Sequence, residues 1–135
     1  METTSLAMQQ INHVILIESS RDKLVEMVEK FFEERRSSGS VIVPLERSQF
    51  ENILRVAIST SSVKEVINFI RYQIGRERSS DRGWRNGDFG EKLIRQINEV
   101  AGLNPSVAIR LVRLFLGFLG RHAIYEQQLA TSERS

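Results

Sequence analysis

A length of 135 residues with 41% hydrophobic content suits one ordinary domain with a buried core. No apolar run approaches the roughly 20 residues of a membrane helix, the start Met1-Glu2-Thr3-Thr4 lacks the basic opening of a signal peptide, and the lack of cysteine excludes disulfides and thiolate metal sites. A cytoplasmic location with no membrane partner is the expectation. The formal charge of +2 hides an asymmetry: residues 1–46 carry 5 basic and 8 acidic groups, residues 47–95 carry 10 and 6. Arginine outnumbers lysine 15 to 4. Arginine's planar fork suits phosphate or carboxylate partners, although salt bridging accounts for the same bias.

Residues 1–12 read as loose or as an early helical turn, and loose order is allowed as far as residue 19. The run Ile11 to Ile17 has the β-branched content of a strand, but a lone strand has no partner here, and a helix is favoured. Ser20 is placed as the cap of a helix running to Arg36, with Leu24, Val25, Val28, Phe31 and Phe32 on one face. Ser37 to Ser40 ends it. Pro44 pushes Val43 out of helical geometry. Three boxes of the Ser/Asp-x-x-Glu kind follow, at Ser48/Glu51, Ser62/Glu65 and Asp88/Glu91, each in phase with an apolar stripe. The second of these helices is expected to reach Arg78. Residues 79–88 read as a loop. Gly102 stands where a terminating glycine belongs, and Asn104-Pro105 restarts the chain in a last helix to Gln128. Residues 130–135 read as loosely ordered. The fold expected is all-α: one domain over residues 1–135, a compact bundle of four to five helices.

The candidate functional residues are basic. Arg71, Arg76, Arg78, Arg82 and Arg85 stand within 15 positions against only Glu77 and Asp81. Lys64, Arg71 and Arg78 recur every seven residues and so share a helical face. That face leads into a loop bearing Trp84. Arginine neutralises phosphates while an indole stacks on a base, which makes this a candidate RNA-binding surface. The competing reading folds Trp84 over the end of the bundle and pairs the arginines with the acidic residues of 1–46. A second basic line on the last helix holds Arg110, Arg113 and Arg121 around Gly117, where tight helix packing competes with ligand approach.

Catalysis finds little support. His13 and His122 are far apart and neither sits at metal-ligand spacing. Nucleophile elbows, Walker loops and nucleotide fingerprints are missing from the sequence. Gly75, Gly83, Gly87 and Gly90 fall between helices, not between a strand and a helix. Asp81, Asp88 and Glu91 are better explained by capping than by a cation. No enzyme activity, metal or cofactor is expected.

The segment Phe69-Ile70-Arg71-Tyr72-Gln73-Ile74-Gly75-Arg76-Glu77 resembles part of the small helical subunit of type III CRISPR effector complexes, the Csm-type small subunit. The shared pattern is an aromatic, a Tyr-Gln pair and a Gly-Arg pair: Phe69, Tyr72, Gln73, Gly75 and Arg76. The likeness spans residues 48–126. It implies a non-catalytic helical subunit of an antiviral-defence ribonucleoprotein that contacts crRNA and target RNA by their backbones beside other effector subunits. It implies that Arg71, Arg76 and Arg78, with Lys64, face RNA. Residues 1–46 and the loop 79–88 depart from the pattern. The alternative is a helical protein-interaction or regulatory module, homodimeric through the Phe115 and Phe118 helix.

Overall fold

A computed structural model describes residues 2–134. They form five α-helices and no strand: α1 Glu2–Ser38, α2 Arg47–Ser59, α3 Val63–Arg76, α4 Phe89–Leu103 and α5 Ala108–Arg134. Short 3-10 turns at Gly83–Asp88 and Pro105–Val107 lead into α4 and α5. α5 is central and packs on α1, α2 and α4, while α3 packs mainly on α4 and α2. This follows from its composition. Leu111, Val112, Phe115, Leu116, Leu119 and Ala123 are all buried, so α5 offers apolar surface on several sides. One continuous core joins all five helices.

α1 corrects two expectations. Its start is not loose, and Ser20 does not cap it; one helix runs unbroken from Glu2, through Ile11 to Ile17, to Ser38. The Ser20 hydroxyl instead donates to the Leu16 carbonyl one turn back, at 2.6 Å. Serine inside a helix bonds to the preceding turn in this way when the chain does not break. Gly39, with φ +76°, ends the helix in the left-handed conformation that glycine adopts without penalty.

The start of α2 lies at Glu46 rather than Ser48. Gln49 Oε1 accepts the Glu46 backbone N–H at 2.7 Å. Leu45 and Phe50, which flank this start at the two positions of a hydrophobic staple, are both buried. Burial of that pair fixes the register and overrides the better capping propensity of serine. Ser62 behaves as expected, its hydroxyl accepting the Glu65 N–H at 3.2 Å. α3 ends at Arg76, two residues earlier than the spacing predicts.

Asp88 makes no side-chain cap. Gly87 and Asp88 are both left-handed, at φ 52° and 56°, and this double turn aims Phe89 into the core. Side-chain capping needs extended backbone at that position, so the box cannot form. Gly102 is inside α4, which ends at Leu103 because Pro105 holds Asn104 extended, at φ −156°. The Asn104-Pro105 restart is present, and Val107 N–H bonds to the Asn104 carbonyl at 3.1 Å. Residues 130–134 continue α5 as helix.

Arg35 clasps three segments together. It is 1% exposed. Its Nε donates to the carbonyls of Val41 and Ile42, each at 3.0 Å. Its Nη2 donates to Asn86 Oδ1 at 2.9 Å, and its guanidinium lies 5.0 Å from the Phe89 ring centre. Burial pushes this group down to about 10.

Candidate nucleic-acid interface

α3 buries Val66, Ile67 and Ile70 against the bundle and turns its other side to solvent. Helical periodicity places Lys64, Asn68, Arg71, Tyr72 and Gly75 together on that outer side, at spacings of three and four. All five are exposed, Tyr72 by 61%. The Arg76 guanidinium lies 5.6 Å from the Tyr72 ring centre, within cation–π range. Around a Cβ placed on Gly75 nothing lies within 4 Å. No packing contact of the fold therefore accounts for glycine at this position. The result is a strip of open backbone, flanked by arginines, with one free aromatic face.

Trp84 is not that aromatic. It is 3% exposed and meets Phe89 edge-on, with ring centres 6.3 Å apart. Its indole N–H is buried without an acceptor. The indole covers the end of the bundle and has no face to stack on a base. Nor is its segment a free loop. Asn86 Nδ2 donates to the Asp81 carbonyl at 2.7 Å, and the Ser79 hydroxyl donates to the Asp81 carboxylate. That hydroxyl is the main cause holding the Asp81 carboxyl below its usual value.

The remaining basic candidates divide. Arg78, Arg82 and Arg85 are exposed in the segment that follows α3, with Arg78 beyond the helix end and so off the seven-residue stripe. Arg110 is exposed on the first turn of α5. Arg113 is half-buried, and its Nε and Nη2 donate to the Ala57 and Thr60 carbonyls, each at 2.8 Å. It satisfies the open carbonyls at the end of α2, a structural role. The ion pairs among the described residues join Arg21 to Glu18, Arg36 to Glu126 and Arg47 to Glu51, and His122 Nε2 makes a further contact with Glu126. None involves Lys64, Arg71, Arg76, Arg78, Arg82, Arg85 or Arg110, and none draws a residue of 47–95 to the acidic first helix. Among the described residues these cations thus form no ion pair with the first helix.

A separate polar cluster pins α1 to α5. Glu126 is 4% exposed, with both carboxylate oxygens bonded to Arg36 and one 3.1 Å from His122 Nε2. His122 stacks on Phe32 at 5.3 Å. Burial raises the Glu126 carboxyl, but the hydrogen bonds from Arg36 and His122 outweigh it and hold the group below its ordinary value. Among the described residues no group of three or more His, Asp or Glu side chains is placed to hold a metal ion. Among the described residues no helix is long and apolar enough to cross a membrane. Phe115 is fully buried within its own bundle and Phe118 is partly buried, so the last helix has no bare phenylalanine patch for a second copy.

Sequence reasoning missed Tyr72 and Asn68 as surface residues of the strip. Their signal was present: both are on the face opposite Val66, Ile67 and Ile70. Tryptophan, the stronger stacking residue, drew attention away from tyrosine.

The chain matches no family model, no curated protein and no solved structure.

Proposed function

We propose that the chain is a non-catalytic RNA-binding subunit of a ribonucleoprotein, and that the outer side of α3 is its contact surface. One observation carries this reading. Among the described residues Lys64, Arg71 and Arg76 are exposed and form no ion pair, and they stand around the open backbone of Gly75 and the exposed ring of Tyr72, over which Arg76 lies. The cations neutralise phosphates, and the phenol ring takes a base by stacking. Gly75 lets a sugar-phosphate strand approach the helix closely, which a side chain would hinder. Arg78, Arg82 and Arg85 extend the positive charge past the helix end.

The finer form of the proposal follows the resemblance of Phe69 to Glu77: a small subunit of a type III CRISPR effector, lying along crRNA and target RNA beside other effector subunits in the cytoplasm. It is supported by the placement of the motif residues Tyr72, Gly75 and Arg76 on the exposed strip.

The test is fluorescence anisotropy with a labelled single-stranded RNA, titrated at several salt concentrations. Each phosphate contact contributes about 0.7 to the slope of log affinity against log salt for a single strand. Arg71→Ala with Arg76→Ala should lower that slope by about 1.4. Tyr72→Ala should weaken binding by about 1–3 kcal/mol and leave the slope alone. Wild-type protein that fails to bind at 50 mM salt, or a double variant with an unchanged slope, would refute this surface.

A further inference from the structure

The first half of α1 stands outside the bundle. Its first apolar side chain to touch the core is Leu16, and its first fully buried one is Leu24. Before that, every side chain from Ser5 to Ile15 is exposed apart from the half-buried His13. Five are large and apolar: Leu6, Met8, Ile11, Val14 and Ile15, each more than half exposed. Met8, Ile11, Val14 and Ile15 follow helical spacing and form one stripe. Leu6, two residues before Met8, is exposed on the other side of the helix.

We infer that this arm pairs with the same arm of a second copy, antiparallel, across a two-fold axis beside Ile11. The inference is independent of the RNA-binding reading, which concerns the outer side of α3. Three observations select a second copy. The first is charge. Between Glu2 and Glu18 the sole ionisable residue is His13. Such an arm has no lysine or arginine to hold phosphate or an anionic membrane, and no carboxylate to hold a basic partner. The second is area. The four half-bared side chains of the stripe amount to on the order of 400 Å² of apolar surface, within the range of patches that mark an interaction site. With the polar flanks of the stripe the pairing approaches the ~800 Å² per partner of a stable interface. The third is orientation. Glu18 and Asp22 continue the stripe toward the bundle. In a parallel pair each would face its own copy, a like-charge contact, whereas the antiparallel pair carries them to opposite ends.

The axis beside Ile11 is the midpoint between Met8 and Val14 on the stripe. It sets Met8 opposite Val14 and buries Ile11 against its own copy. A two-fold pairing of this kind closes on itself and gives a dimer rather than a filament.

The test uses the lack of cysteine in the chain. Wild-type protein should sediment as a dimer across the micromolar range, and Ile11→Asp should weaken dimerisation at least 100-fold with its helical circular dichroism retained. Met8→Cys mixed with Val14→Cys should form a disulfide between copies under mild oxidation. Val14→Cys alone should not, because the two copies of position 14 lie about 9 Å apart along the axis, beyond the ~7 Å that a disulfide spans. Wild-type protein that stays monomeric at 200 µM overturns the inference. So does an Ile11→Asp variant that dimerises unchanged, or a Val14→Cys variant that links to itself, which marks a parallel pair. Monomeric protein that binds phosphatidylglycerol vesicles through the arm would also overturn it, assigning the arm to a lipid surface.

Discussion

Replacing Arg35 by methionine separates two opposed contributions of a buried cation. Methionine keeps most of the side-chain volume and the packing on Phe89 but removes every donor. The carbonyls of Val41 and Ile42 and the Asn86 side chain then lose their bonds at 2.9–3.0 Å. These bonds are part-buried, and an acceptor left without a donor costs about 1–3 kcal/mol where water does not replace it. Against this, the variant no longer holds a charge out of water, and among the described residues Arg35 forms no ion pair. That relief offsets part of the loss. The net expectation is a destabilisation of about 2–4 kcal/mol, a large share of the ~5–15 kcal/mol of an ordinary domain. Arg35→Lys keeps the charge without the fork and should also destabilise, since one ammonium cannot serve both the link at 41–42 and the turn at Asn86. Urea unfolding followed by circular dichroism at 222 nm measures the global change. The fluorescence of Trp84, two residues from Asn86, reports the turn. A methionine variant as stable as wild type would refute the reasoning, because desolvation would then equal all the hydrogen bonds combined.

Three further outcomes follow from the packing. Gly75→Ala should stabilise the fold by about 0.5–1 kcal/mol, since the site is open and helical; Gly90→Ala should instead destabilise it, because its Cβ would stand 2.5 Å from Ile74 Cγ1, and paired thermal melts read both signs. Trp84→Phe should cost far less than Trp84→Ala, about 1 against 3–5 kcal/mol, because phenylalanine removes an unpaired buried N–H while filling most of the space, and urea midpoints rank the two. Glu126→Gln should destabilise at pH 7 by about 1.5–3 kcal/mol through its charge-assisted bonds. The lowered carboxyl contributes stability that is present above the ordinary value of 4.5 and lost as pH falls through the folded value, so the gap between wild type and variant should close in unfolding curves taken below that pH.

The helices were legible in the sequence because their apolar stripes are strong. Leu93, Ile94, Ile97 and Val100 on α4 leave no other period open, and the Asn104-Pro105 break reads the same in sequence and structure. Helix starts were less legible. Ser48 has the better cap chemistry, but burial of Leu45 and Phe50 decides the register, and that is a tertiary effect. The left-handed turn at Gly87 and Asp88 likewise follows from the need to bury Phe89, which no local propensity reveals. In the site, the basic content of α3 was visible from spacing alone. The exchange of roles between Trp84 and Tyr72 was not, because which aromatic is covered depends on how the turn after α3 folds back. Arg113 looked like its basic neighbours until its guanidinium met the end of α2.

The continuity of α1 has a consequence for any larger particle. From Glu2 to Ser38 the helix runs unbroken and holds neither glycine nor proline, the residues at which helices most often kink sharply. Its 37 residues make a rod of about 55 Å. One end is locked to the bundle by Arg35 and by Arg36 with Glu126; the other bears the exposed apolar arm. The molecule therefore acts as a set-square. Whatever grips the arm also sets the angle and distance at which α3 is presented, and two copies joined there would offer their α3 strips at one fixed spacing.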